Sequence, residues 1–171
     1  MDVLYLTEAE VSRLLTMEIA LAAIEEGMRH WASGSAANMS RQRLEVPPKT
    51  YLHYMAAAEF VQGYFGMKIY TSAPGGLRFL VPLYRGETGE LIALLEADRL
   101  SCVRTGAASG LATRYLARTD AARVAILGTG HQAPTQLEAV AAVRTIQHVR
   151  AYSRGPAQRE AFAQAMSKSL G

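Results

Sequence analysis

The stretch Val124-Ala125-Ile126-Leu127-Gly128-Thr129-Gly130-His131-Gln132-Ala133 constrains the fold more than any other part of the chain. It reads as an apolar strand entering a glycine-bearing turn, with a helix following from Pro134. The spacing is G-x-G-x-x-A. In such a turn the first glycine permits the tight bend and the second lets another group approach the backbone, while a small final residue allows helix and strand to pack closely. Pro134 suits a first-turn position, where its missing N–H costs nothing. The corner aims the opening amides of a helix, and the positive end of its dipole, at one point, and an anion can bind there. With a strand before it and a helix after it, the pattern predicts the start of a parallel, doubly wound sheet. It also predicts a dinucleotide pyrophosphate held at Gly128, Thr129, Gly130, His131 and Gln132. The bland alternative is a plain strand–turn–helix corner, and for His131 taken alone a surface position is the simpler reading.

The residues that follow extend the alternation. His148–Tyr152 reads as a second strand and 156–167 as a second helix. A site for NAD places Asp or Glu about 20 residues on, at the end of that second strand, to hold the ribose hydroxyls. Here Tyr152-Ser153-Arg154 occupies that place, with no acid between His148 and Pro156. A guanidinium can pair with a 2′-phosphate. The pattern therefore favours NADP(H) over NAD(H), with Ser153 and Arg154 as contacts; a merely solvated Arg154 is the alternative.

The first part of the chain has a different rhythm. Thr7 and Glu10 have capping-box spacing ahead of Val11, Leu14 and Leu15. A longer helix is expected from near Thr16 to Ser33-Gly34, with Ile19, Ala22, Ala23 and Met28 along its apolar stripe. From Arg41 to Glu96 the pattern turns strand-like, with candidates at 51–55, 64–70, 79–84 and Leu91–Glu96. The last two should form a hairpin around Glu87-Thr88-Gly89. Residues 101–116 read as a helix dense in small side chains. Its two glycines, Gly106 and Gly110, would each cost about 1 kcal/mol relative to alanine unless close packing or a ligand required them. Helices followed by paired strands suggest a small α+β layer. The expected organisation is an α+β domain over 1–118 and the opening of a Rossmann-type α/β domain over 119–171, divided near 118–122. The strand Arg123–Leu127 is expected to be buried.

Composition narrows the class of protein. A net charge of +3, without any run of Lys or Arg, gives no footprint for nucleic acid. A single cysteine, Cys102, excludes an internal disulfide, offers no metal-ligand cluster and is most simply a small buried residue with no base beside it. No signal-like segment opens the chain, and no apolar run approaches the ~20 residues that span a bilayer. These features point to the cytoplasm and away from membranes.

Three stretches taken together resemble the ornithine cyclodeaminase/μ-crystallin family. They are Gly66-Met67-Lys68, then Gly89-Glu90-Leu91-Ile92-Ala93 through Val103-Arg104-Thr105-Gly106-Ala107-Ala108-Ser109, then the Gly128–Ala133 turn. Order and spacing match over essentially the whole chain, with Gly106 where the family usually has alanine. The resemblance implies an NAD(P)-dependent enzyme acting on an amino acid or cyclic imino acid by hydride transfer at the α-carbon. It implies that Arg43, Lys68 and Arg104 grip the substrate carboxylate, with Lys68 also the catalytic proton donor and Thr105 near the cofactor. Guanidinium groups suit bidentate carboxylate pairing, and lysine supplies a movable charge. Unaided by the resemblance, Lys68 reads more simply as a strand residue on the solvent face, and Arg104 is equally readable as a surface charge. A homodimer is implied, formed through the N-terminal layer.

The chain departs from the family in places. Met55-Ala56 stands where Met-Pro is common, and His53 stands where some members place a glutamate near the substrate amine, which counts against ornithine. Family members are about twice as long, and their assisting aspartate would lie beyond residue 171, so a fragment or an inactive truncated form is expected. The resemblance leaves cyclodeamination, amino-acid dehydrogenation and imine reduction open, together with a non-catalytic crystallin-like binding role.

Overall fold

A computed structural model describes residues 2–171. The chain divides into two compact units. One comprises the residues up to Leu14 together with Glu26–Ser101, and the other Leu15–Glu25 together with Cys102–Gly171. The stretch 118–122 falls inside the second unit.

The first unit is built on a seven-stranded sheet. Strands β4 (Thr50–Glu59), β5 (Tyr64–Ala73), β6 (Gly76–Arg85) and β7 (Leu91–Glu96) form an antiparallel meander. The short β1 (Leu4–Leu6) adds in parallel beside β7, while β2 (Ala36–Asn38) and β3 (Gln42–Val46) pair with opposite ends of β4. The hairpin between β6 and β7 turns where expected, with Gly89 at φ +71°, a conformation that costs glycine nothing. A cis Pro47-Pro48 bond lies in the β3–β4 turn.

Helix α1 (Glu8–Leu14) starts on the expected capping box. The Thr7 amide donates to Glu10 Oε2 at 2.9 Å, and the Glu10 amide reaches Thr7 Oγ1 at 3.4 Å. Two carboxylates tie helix starts to the sheet. Glu96 accepts from the Glu8 amide at 2.6 Å and from the Tyr5 hydroxyl at 2.8 Å. Glu8 in turn accepts from the amides of Asp98 and Arg99, which open α3 (Asp98–Leu116). Anions at these positions satisfy amides that have no acceptor within the helix.

The second unit holds β8 (Arg123–Leu127) and β9 (His148–Tyr152), paired in parallel, with α4 (Ala133–Val143) and α5 (Pro156–Leu170). This is the predicted strand–helix alternation. Ala133, Leu137, Phe162 and Met166 form one core, onto which Val124, Ile126 and Ala151 pack. A second core joins the start of α2 (Met17–Ala32) to α3 and α4 through Met17, Ala20, Leu21, Val103, Ala107 and Ala139. Arg144 closes the end of α3, donating to the carbonyls of Thr113, Arg114, Ala117 and Arg118 at 2.9–3.1 Å.

The small residues of α3 have a steric cause. A Cβ on Gly106 would lie 2.3 Å from the Thr135 carbonyl oxygen, and one on Gly110 would lie 2.8 Å from that of Ala139. Helices α3 and α4 approach too closely for side chains there, so packing accounts for the glycines.

Two packing expectations are corrected. The buried stripe of α2 runs through Met17, Ala20 and Leu21, whereas Ile19, Ala22, Ala23 and Met28 are exposed. Both faces of this helix are apolar, and contact with Val103, Ala107 and Ala139 selects the one that is buried. Strand β8 is not buried throughout: Leu127 is 83% exposed, because only the Val124–Ile126 face meets the core formed with α4 and α5. Among the described residues no helix is long and apolar enough to cross a membrane.

Candidate functional site

In the first unit a row of side chains crosses four strands on one face. Arg43 on β3 stands opposite His53 on β4, His53 opposite Tyr70 on β5, and Tyr70 opposite Phe79 on β6. Directly opposed residues present their side chains to the same face. The rings follow that register: His53 stacks on Tyr70 with centroids 4.5 Å apart, and Tyr70 on Phe79 at 4.8 Å. Residues two positions away share the face, and this adds Tyr51 and Lys68.

Cations line this aromatic shelf. Lys68 Nζ lies 5.2 Å from the Tyr70 centroid and 5.3 Å from that of Phe79, and donates to Ser101 Oγ at 3.2 Å. Arg43 Cζ sits 5.1 Å from the Tyr51 ring, and Arg41, just before β3, 5.9 Å from Tyr70. Quadrupoles of the rings attract these charges. The imidazole of His53 is held below its ordinary range, first by burial and then by Arg41 and Arg43. Its Nδ1 is buried without a hydrogen-bond partner. Lys68 is therefore packed on rings and bonded to a buried serine, so the surface-charge reading fails for it. Sequence reasoning had no signal for Ser101, Tyr70 or Phe79, because only the strand register brings them to Lys68.

In the second unit the glycine turn has the expected form. Gly128 takes φ +101°, and no heavy atom beyond its neighbours lies within 4 Å of a Cβ built on Gly128 or Gly130. The backbone is open there, which fits close approach by a pyrophosphate. Thr129 Oγ1 donates to Ser153 Oγ at 2.9 Å, joining the turn to the end of β9, and the Gly128 amide donates to the Tyr152 carbonyl at 2.7 Å. The turn and Ser153 are thus brought together, with the exposed Arg154 next in the chain. Arg104 and Thr105 lie on α3, both half-buried and both engaged.

One expectation is overturned here. Cys102 is buried, but a base does stand beside it: His131 Nε2 lies 3.0 Å from its sulfur, and the Gln132 side-chain amide donates to the same sulfur at 3.4 Å. These residues come from α3 and from the turn before α4, and sequence separation hides such a contact. Among the described residues no group of three or more His, Cys, Asp or Glu could hold a metal ion.

Known proteins share this architecture. The chain is 37% identical to alanine dehydrogenase of Archaeoglobus fulgidus over 164 residues, which span 89% of this chain and 48% of that protein. The structure of an archaeal alanine dehydrogenase dimer with bound NAD superposes with a TM-score of 0.92 and 35% identity, covering 99% of this chain and 54% of that one. Thermococcus litoralis Δ1-pyrroline-2-carboxylate reductase, solved with NADH and L-proline, also gives 0.92, at 32% identity, 98% of this chain and 55% of that one. The chain spans about half the length of the relatives it matches. The profile of the ornithine cyclodeaminase/mu-crystallin family matches residues 1–171. The chain belongs to the ornithine cyclodeaminase/mu-crystallin family.

Proposed function

We propose that this chain is the substrate-binding and pyrophosphate-binding part of an NAD(P)-dependent enzyme that transfers hydride at the α-carbon of an amino acid or cyclic imino acid. The observation that carries this reading is the sheet face on which Lys68, seated over Tyr70 and Phe79 and bonded to Ser101, stands with Arg43. That face is built to receive a carboxylate. In this proposal Arg43 pairs with the carboxylate by its forked donors, while Lys68 adds a point charge and a proton for the substrate nitrogen.

Holding the substrate by its carboxylate fixes the α-carbon, and orientation of this kind supplies much of the rate. The dinucleotide, when bound, accepts or donates the hydride. Gly128, Thr129, Gly130, His131 and Gln132 would hold its pyrophosphate, Thr105 would contact its phosphate or ribose, and Ser153 and Arg154 would hold the adenosine ribose. Arg154 in place of an acid favours NADP(H). Alanine dehydrogenase and pyrroline-2-carboxylate reductase among the relatives support amine oxidation or imine reduction. The assembly proposed is a homodimer, as in the archaeal alanine dehydrogenase.

The test is NADPH oxidation with Δ1-pyrroline-2-carboxylate, using the protein as its own cells make it. Substrate-dependent oxidation that is lost in Lys68→Met supports the reading. Binding of dinucleotide and imino acid without turnover would leave a binding protein in its place.

A further inference from the structure

The sheet face of the first unit carries more positive charge than one α-carboxylate requires. Arg41 and Arg43 approach only aromatic rings there, and neither has a carboxylate partner among the described residues. His53 stands opposite Arg43, and both guanidiniums act on its ring, which stacks on Tyr70 at an interplanar angle of 9°. Its Nδ1 is buried and unpartnered. A buried polar atom in that condition is uncommon, because nothing in the protein offsets its lost hydration. An imidazole nitrogen can donate to an anion while the ring stays neutral.

These groups share one complement, a carboxylate. It accepts from a guanidinium fork and an imidazole N–H together. A distal ammonium group would instead meet two guanidiniums. Of the acids on this face, Glu45 lies beyond Arg43 on the side away from Arg41, exposed and opposite Tyr51, and Glu59 lies at the far end of β4, paired with His30 at 2.6 Å.

We propose that Arg41 and His53 form a second anion subsite, so that the enzyme acts on amino dicarboxylates, or on their imino counterparts, in preference to neutral and diamino acids. This rests on the reading above in one respect: Arg43 and Lys68 are taken up by the α-carboxylate.

Calorimetric titration of the full-length protein with L-aspartate, L-alanine and L-ornithine tests the subsite, alongside turnover of the same compounds with NAD(P)+. The expected result is that aspartate binds about tenfold or more tightly than the other two, the scale of one charge-assisted pair. In Arg41→Gln and in His53→Ala the aspartate-to-alanine ratio should collapse toward one. Arg41 is exposed and precedes β3, so its variant keeps the fold and decides the matter even if the His53 variant does not fold. Equal affinities in the native protein, or a ratio untouched by Arg41→Gln, would overturn the subsite. The two readings fail separately. Turnover of alanine with no preference for aspartate removes the subsite alone. Tight aspartate binding through Arg41 without turnover of any compound removes the enzymatic reading alone.

Discussion

His53 shows how position can override the intrinsic chemistry of a side chain. Burial and two neighbouring guanidiniums all disfavour its charged form. Its ring should therefore titrate below the ordinary value of 6.5, and NMR of the imidazole carbons would measure this. The sign for stability follows from proton counting. The unfolded chain takes up the proton first, so the contribution of His53 is present above the unfolded value and is lost as pH falls below it. His53→Gln should flatten the acid side of a plot of Tm against pH, and a native ring titrating at or above 6.5 would contradict this account. The candidate residues were legible in the sequence in two ways. Arg43, Lys68 and Arg104 stood out through the family resemblance, and the Gly128–Ala133 turn through its spacing. The aromatic shelf and the contact of Cys102 with His131 did not, because both depend on which strands and helices become neighbours.

Elements were legible where punctuation was strong. Strands β7, β8 and β9 fall where turn residues and apolar runs place them, and the glycines of α3 pointed to close packing or a ligand, of which packing is the cause. Strands β1, β2 and β3 are three to five residues long with almost every side chain exposed, so no alternation marks them and only their partners define them. The stripe of α2 was misread for a related reason, since helical period cannot rank two apolar faces. The α3–α4 crossing yields a prediction in which two effects oppose. Helix propensity alone would make Gly106→Ala stabilising by about 1 kcal/mol. The new methyl would instead meet backbone at 2.3 Å, so steric cost should win and the variant should lose about 1–3 kcal/mol in denaturant unfolding. Gly27 in α2 has nothing within 4 Å, and Gly27→Ala should gain a few tenths to about 1 kcal/mol. A stabilised Gly106→Ala would show that the two helices yield easily.

At the scale of the whole molecule, the first unit leaves large apolar side chains in solvent, including Trp31 at 55%, Phe60 at 58% and Val61 at 65%. Where such residues form a contiguous patch, that patch is a candidate surface for another chain. Phe60→Asp should shift the proposed homodimer toward monomer in light scattering, and a native protein monomeric at every concentration would remove the dimer. The central claim is narrower and concerns chemistry: hydride passes between a nicotinamide and the α-carbon of a substrate held by its carboxylate. The most direct measurement supplies NADPH deuterated at the nicotinamide C4 together with an imino acid, and finds the label in the amino acid produced by mass spectrometry. The account predicts one deuterium at the α-carbon, transferred from one face of the nicotinamide only. Product without deuterium, or with an α-hydrogen drawn from the solvent, would contradict it.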